Sequence, residues 1–264
     1  MRAFVQLFFR YISCLVVGLM VACAGGGGTA EAEVDTLMVD TPESPCPSPI
    51  VRCVDGPWVV LTDFDTTLRA DIRYAGNDNF MGRPMAGYLQ PLAVATRLTA
   101  EALSKVNADL REQGLALLIF DAYRPQRAVD DIYEWSKVSA DTLMRWRYYP
   151  RIAKRDIRFN GYISKKSKHA MGSTVDLTLV RIADGEEVDM GSSFDMLDPI
   201  SHFNAPGLTA EQRANRQLLR RTMCRHGFSP IEAEWWHFTL RNQPYHHAFD
   251  FPVHRDSVIL FLRL

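Results

Sequence analysis

Two short stretches hold the residues able to do chemistry. Ser167-Lys168-His169-Ala170-Met171-Gly172-Ser173-Thr174-Val175-Asp176 carries an imidazole and a carboxylate, and Glu234-Trp235-Trp236-His237 carries another of each. His169, Asp176 and His237 are ligand types that a zinc ion accepts while keeping a fourth position open for water. An ion so held lowers the pKa of its water toward neutrality and polarises a carbonyl beside it. Glu234 precedes His237 by one helical turn's spacing, so local geometry keeps its carboxylate near the ion as a proton carrier. Its alternative role is to orient a ligand histidine. Any single histidine is more often a surface or core residue, and His246 and His247 are expected to be just that.

Six residues separate His169 from Asp176, with Gly172 among them, so the chain can turn and return as a strand over 175–180. A second strand over 236–240 must bring His237 back to the same sheet. Upstream, 58–61 and 71–74 are strand-like, and 77–82 is rich in turn formers. Apolar residues recur at helical spacing over 91–113, with Gly114 as a stop. A buried-looking strand over 115–120 then delivers Asp121-Ala122-Tyr123-Arg124-Pro125, and the proline suits the start of a helix over 125–138. Arg145-Trp146-Arg147-Tyr148-Tyr149 is an aromatic and basic patch that is expected to pack on the core or form a flap. Asp184-Gly185 is a turn. A helix over 209–226 opens with the capping-box pair Thr209 and Gln212 and ends at Gly227. Helices and short strands alternate without a βαβ rhythm or phosphate loop. This predicts an α+β fold: one compact domain whose small mixed or antiparallel sheet carries the zinc site, flanked by helices.

The set Ser167-x-His169-x-x-Gly172-x-x-x-Asp176 with Glu234-x-x-His237 resembles the VanX-type D-alanyl-D-alanine dipeptidases and their D,D-carboxypeptidase relatives. The resemblance runs from about Asp71 to Leu240 and includes Tyr74, Asp121-x-Tyr123-Arg124-Pro125 and Asp195. It implies one zinc ion held by His169, Asp176 and His237, with Glu234 as the base. By the same resemblance Arg124 stabilises the tetrahedral oxyanion, a role its fixed charge and several donors suit; a structural ion pair with Asp121 is the alternative. Asp195 and the Tyr74 hydroxyl match the positions that hold a free amino group, and Ser167 the one that contacts the carboxylate. Tyr74 capping a core strand and Asp195 closing a turn remain open. Arg127 is expected on a helix surface, and Trp235 and Trp236 as wall and core. The implied partner is a small dipeptide. The alternatives are a D,D-carboxypeptidase acting on peptidoglycan stem peptides, and a non-catalytic, zinc-stabilised wall-binding module.

At 264 residues and 47% hydrophobic, the chain is long enough to bury one substantial core. Its net charge of -1, with acids and bases spread through the sequence, gives no basic stripe of the kind nucleic-acid binding needs, and nucleic acid is set aside. Arg2 and Arg10 precede an apolar run over 11–22, too short for a comfortable span, which ends at Cys23. The pattern resembles a bacterial lipoprotein signal over 1–23, with Cys23 lipidated and the membrane reached through that lipid. Ordinary secretion or an uncleaved anchor is the alternative. The Gly-rich, then acidic and Pro-rich stretch over 24–56 reads as a tether, leaving 57–264 as the dipeptidase-like domain. In an exported chain Cys46 and Cys53 could pair and leave Cys224 as a single thiol, or Cys224 could pair with either.

Overall fold

A computed structural model describes residues 56–260. The expectations for the signal segment, Cys23, the tether up to residue 55, Cys46 and Cys53 lie outside those residues. The described residues fall in one compact unit, Cys46–Leu264.

The elements in chain order are β1 (Trp58–Val60), α1 (Leu61–Phe64), β2 (Arg69–Ala70), β3 (Val94–Thr96), α2 (Arg97–Arg111), β4 (Leu115–Asp121) and α3 (Gln126–Lys137). There follow α4 (Arg145–Tyr148), β5 (Thr174–Arg181), α5 (Ala210–Arg225), β6 (Phe228–Pro230), β7 (His237–Leu240) and α6 (Arg255–Leu260). The main sheet is five-stranded in the order β2-β4-β5-β7-β6, and β1 pairs with β3 in a separate ribbon. Only the β2–β4 pairing is parallel among the five strands, so the mixed α+β sheet expected from the sequence is present.

β5 is central and buried along all but its last residue. Val175, Leu177 and Leu179 alternate along it with Thr174, Asp176 and Thr178, and both sets are buried, so the polar face of the strand is covered as well. The α2 face carrying Leu103, Val106 and Leu110 is fully buried, and Asn107 on that face accepts the Leu117 N–H at 2.8 Å, tying helix to strand. Two expectations need correction. Residues 71–74 do not make a strand: the chain turns into a 3-10 turn, Arg73–Ala75, which buries Tyr74. The helix expected from residue 91 starts at Arg97, because 94–96 pairs with β1 and leaves Leu98 nearly half exposed. The capping box on α5 is formed in both directions between Thr209 and Gln212. Cys224 is a half-buried free thiol.

The loop that precedes β5 is the local feature on which the site rests. It is a 3-10 turn, Lys168–Met171, capped at its start by the Ser167 hydroxyl and closed by Gly172 at φ +81°. A Cβ on Gly172 would lie 2.2 Å from the Trp58 ring. Glycine is therefore required twice over, by the left-handed backbone and by the close approach of a buried indole. Gly172 O accepts the Thr96 N–H at 2.9 Å, and the Ser173 and Thr96 hydroxyls lie 2.9 Å apart, so the ribbon holds this turn in place. Gly172→Ala is expected to destabilise the domain by about 3 kcal/mol and lower its Tm by on the order of 10 °C. Thermal unfolding would check this, and an unchanged Tm would contradict the packing argument.

Candidate metal centre and cavity

The sheet register assembles the site. Asp121 on β4 lies opposite Asp176 on β5, and Asp176 lies opposite His237 on β7. The first pairing depends on an irregularity between Ile119 and Asp121. Without it Phe120 would face Asp176, because side chains directly opposite share a face of the sheet. The slip sets two buried carboxylates side by side and sends Phe120 into the core against Phe194, ring centroids 4.8 Å apart.

His169 reaches this row from the Gly172 turn. Its Nδ1–H donates to the Ala122 carbonyl at 2.8 Å, which selects the tautomer with Nε2 free to bind. That Nε2 lies 3.3 Å from His237 Nδ1 and 3.3 Å from Asp176 Oδ2, while His237 Nδ1 lies 3.0 Å from Asp176 Oδ1. Ligands held tetrahedrally at about 2.0–2.1 Å from one zinc ion are roughly 3.3 Å from each other. The two imidazole nitrogens are spaced as two such ligands, Asp176 presents one oxygen to each of them, and one ligand atom from each of the three residues lies within 4.8 Å of the others, a set of the right chemistry for zinc. Glu234 Oε2 is 3.6 Å from His237 Nδ1, beside the triad and outside it.

Arg124 makes the ion pair with Asp121 that the sequence left open as its structural alternative. Its Nε and Nη2 each lie 2.9 Å from Asp121 Oδ2, while Nη2 also reaches Asp176 Oδ2 at 3.3 Å and the Tyr74 hydroxyl at 3.5 Å. The ion pair thus aims the guanidinium at the cluster. The Tyr74 hydroxyl donates to Asp195 at 2.9 Å, and both residues are buried. Asp195 stands at φ +59°, and no other non-glycine among the described residues has a positive φ. Backbone held in that region is strained, and such strain concentrates at functional positions. Ser167 lines the same cavity besides capping the turn.

Burial dominates the electrostatics. It raises the Glu234 carboxyl above its ordinary range, with the nearby His237 acting against it. It raises Asp195 further, helped by Asp176 and opposed by Arg124 and by the Tyr74 hydrogen bond. At Asp176 burial pushes the same way, but the adjacent imidazoles of His169 and His237 prevail and hold the carboxyl far below the usual range.

The cavity bounded by these residues measures about 290 Å³, the size of a small ligand's site. Phe80, Tyr162, Leu197 and Trp236 close its sides. A larger cavity of about 720 Å³ adjoins it and shares Gly161, Tyr162, Ile231 and Glu234 with it. Two supports escaped sequence reading. Tyr88 donates to Asp121 at 2.5 Å, and the Ala122 carbonyl fixes His169. Neither has a spacing signal, since one is a lone tyrosine far upstream and the other a backbone atom. His246 and His247 are exposed, as expected, and Arg127 pairs with Asp250 at the surface.

Residues 58–254 match a family model described as D-ala-D-ala dipeptidase. The chain is 39% identical over 199 residues to a D-alanyl-D-alanine dipeptidase of Streptomyces coelicolor, covering 75% of this chain and 98% of that protein. It is 42% identical over 187 residues to one from Enterococcus faecium, covering 70% and 93%. The first relative therefore consists of little besides this domain. A solved structure of the vancomycin-resistance D,D-pentapeptidase VanY with zinc aligns with a TM-score of 0.34 and 14% identity over 67% of this chain and 83% of that one.

Asp121 touches His169 as well as Arg124, its Oδ2 lying 3.4 Å from Nδ1. Asp121→Asn is expected to weaken zinc binding by about 10–100-fold with the fold retained. Competition with a chromogenic chelator reads this directly; unchanged affinity would restrict Asp121 to holding Arg124.

Proposed function

The chain belongs to the D-Ala-D-Ala dipeptidase family, and on that premise we propose that its domain hydrolyses free D-alanyl-D-alanine to two D-alanines with one zinc ion held by His169, Asp176 and His237. The observation that carries the residue assignment is that ligand atoms, one each from His169, Asp176 and His237 on three separate segments, lie within 4.8 Å of one another. Zinc supplies an activated water and a polarised carbonyl.

The chain's own residues do the rest. Glu234, beside the triad and raised by burial, takes the proton of the attacking water and passes it to the leaving amine. Arg124, anchored on Asp121, faces the carbonyl oxygen as negative charge gathers there. Asp195 and the Tyr74 hydroxyl bind the free amino group, and Ser167 the terminal carboxylate. Phe80 and Trp236 narrow the cavity and exclude water. A stem peptide blocked at its amine would leave Asp195 buried without its counter-charge.

The N-terminal residues support export with a lipid on Cys23, and the activity would then lie on the periplasmic side of a bacterial membrane or in the cell envelope. There it would scavenge or turn over dipeptide released from the wall.

With purified protein, release of D-alanine from the free dipeptide is expected to be chelator-sensitive, and the N-acetyl dipeptide to resist. Glu234→Gln should retain zinc and lose about 10²–10⁴ in kcat, whereas Asp195→Ala should chiefly raise KM. Equal cleavage of the blocked substrate would replace this reading with a carboxypeptidase.

In cells, Cys23→Ser is expected to move the protein from the membrane to the soluble fraction. Wild-type protein recovered from the cytosol with residues 1–23 intact would overturn the export assignment.

A further inference from the structure

The chain as a whole has a net charge of -1, yet residues 145–168 hold nine lysines and arginines against the single acid Asp156. Some of these cations serve the fold. Arg147 pairs with Asp78 at 2.6 Å, Arg151 pairs with Asp198, and the buried Lys154 sits 3.7 Å from the Trp135 ring centroid. Others are gathered at the surface. Lys165 Nζ, Lys137 Nζ and the Arg158 guanidinium lie 4.8, 4.9 and 5.6 Å from the centroid of the Tyr133 ring. Glu134, bonded to Lys137, is the one acid paired with these three cations among the described residues. Three like charges around one ring repel one another; Lys137 and Lys165 are exposed, and Arg158 is half-buried.

The three most exposed large apolar side chains among the described residues belong to the same excursion: Phe159 at 82%, Trp146 at 74% and Leu143 at 68%. The tyrosines of the basic patch are buried as expected, but Trp146 is not. Val138, next to Lys137, is exposed as well. Phe159 adjoins the cation cluster directly, with the Arg158 guanidinium 5.9 Å from its ring centroid.

We propose that this excursion, from α3 to the start of the catalytic loop, docks on an anionic phospholipid surface. Cations interleaved with exposed aromatic and aliphatic side chains match a bilayer interface, which offers negative headgroups and an adjoining hydrocarbon boundary. A soluble anionic polymer would attract the cations but give Leu143 and Val138 no apolar phase, and stacking on nucleic-acid bases needs π faces that these two lack. The excursion also supplies Gly161, Tyr162, Ser164 and Lys166 to the catalytic cavity. Docking therefore brings the cavity's rim to the membrane surface, independently of any lipid on Cys23.

The test uses the chain from residue 46 onward, since a relative made almost wholly of this domain exists. It would be sedimented with vesicles of phosphatidylcholine alone and with vesicles of phosphatidylcholine and phosphatidylglycerol in equal parts. Binding is expected only to the second and should weaken in high salt. Combining Lys137→Gln, Arg158→Gln and Lys165→Gln is expected to weaken it by on the order of a hundredfold, with thermal unfolding unchanged. If that combination unfolds, Lys165→Gln alone should weaken it by about fivefold. Phe159→Ser with Trp146→Ser should weaken the part that survives salt. Protein left in the supernatant with the anionic vesicles, or binding indifferent to the lysine and arginine changes, would overturn the proposal. So would tight binding to soluble polyphosphate together with unaltered vesicle binding by the Phe159 and Trp146 variant, which would give the surface to an anionic polymer.

Discussion

Burying negative charge is the constraint around which this domain is built. Asp121, Asp176 and Asp195 are each no more than 6% exposed, and Glu234 stands beside them with one guanidinium, Arg124, for company. A buried carboxylate without a partner costs several kcal/mol. Arg124 commits two donor atoms to Asp121, so Asp176 has only a long contact from it and otherwise two imidazoles. Asp195 accepts from a neutral phenol, and burial keeps its carboxyl well above the ordinary range. On the reading proposed above, Asp176 would face a divalent cation and Asp195 an ammonium group. On the proposed reading the cofactor supplies the first and the substrate the second. Recognition of the amine is then inseparable from the stability of the loaded site.

Such a cluster has to be held by something stiffer than loops. Three of its members, Asp121, Asp176 and His237, are cross-strand neighbours at the heart of the sheet, where ladder hydrogen bonds fix their relative height. The strand irregularity before Asp121 decides which face its carboxylate takes. The fourth member, His169, comes from a turn, and that turn is clamped by Gly172 against Trp58 and by Thr96 through Gly172 O and Ser173. The short ribbon of β1 and β3 thus supports the catalytic loop more than it extends the core.

That His169, Asp176 and His237 come together is legible because residue types and spacing survive in one dimension, and β5 and α5 because periodicity and capping are local. Elements set by long-range contact were not. Residues 71–74 look like a strand from their alternation, yet Tyr74 has to turn inward to meet Asp195, a residue 121 positions away. The start of α2 was misplaced because pairing with β1 outweighs helical periodicity at 94–96. Tyr88 and the Ala122 carbonyl left no trace, since the first is defined only by where its hydroxyl ends and the second has no side chain to notice. For Arg124 the sequence leaves a structural and a catalytic role open, and the structure shows the ion pair with Asp121.

The same zinc set can serve a dipeptidase or a carboxypeptidase, so selectivity in this domain has to come from the walls. The cavity beside the triad, about 290 Å³, is divided from a neighbour of about 720 Å³ by residues common to both, among them Tyr162 and Ile231. A longer peptide would therefore need that partition displaced, although space exists behind it. Tyr162 lies on the cation-rich excursion and not on the sheet, so this part of the lining comes from a different layer of the fold than the proposed ligands. On the proposed reading, strand register would position the chemistry, while the fit of the substrate would depend as well on side chains supplied by this surface segment.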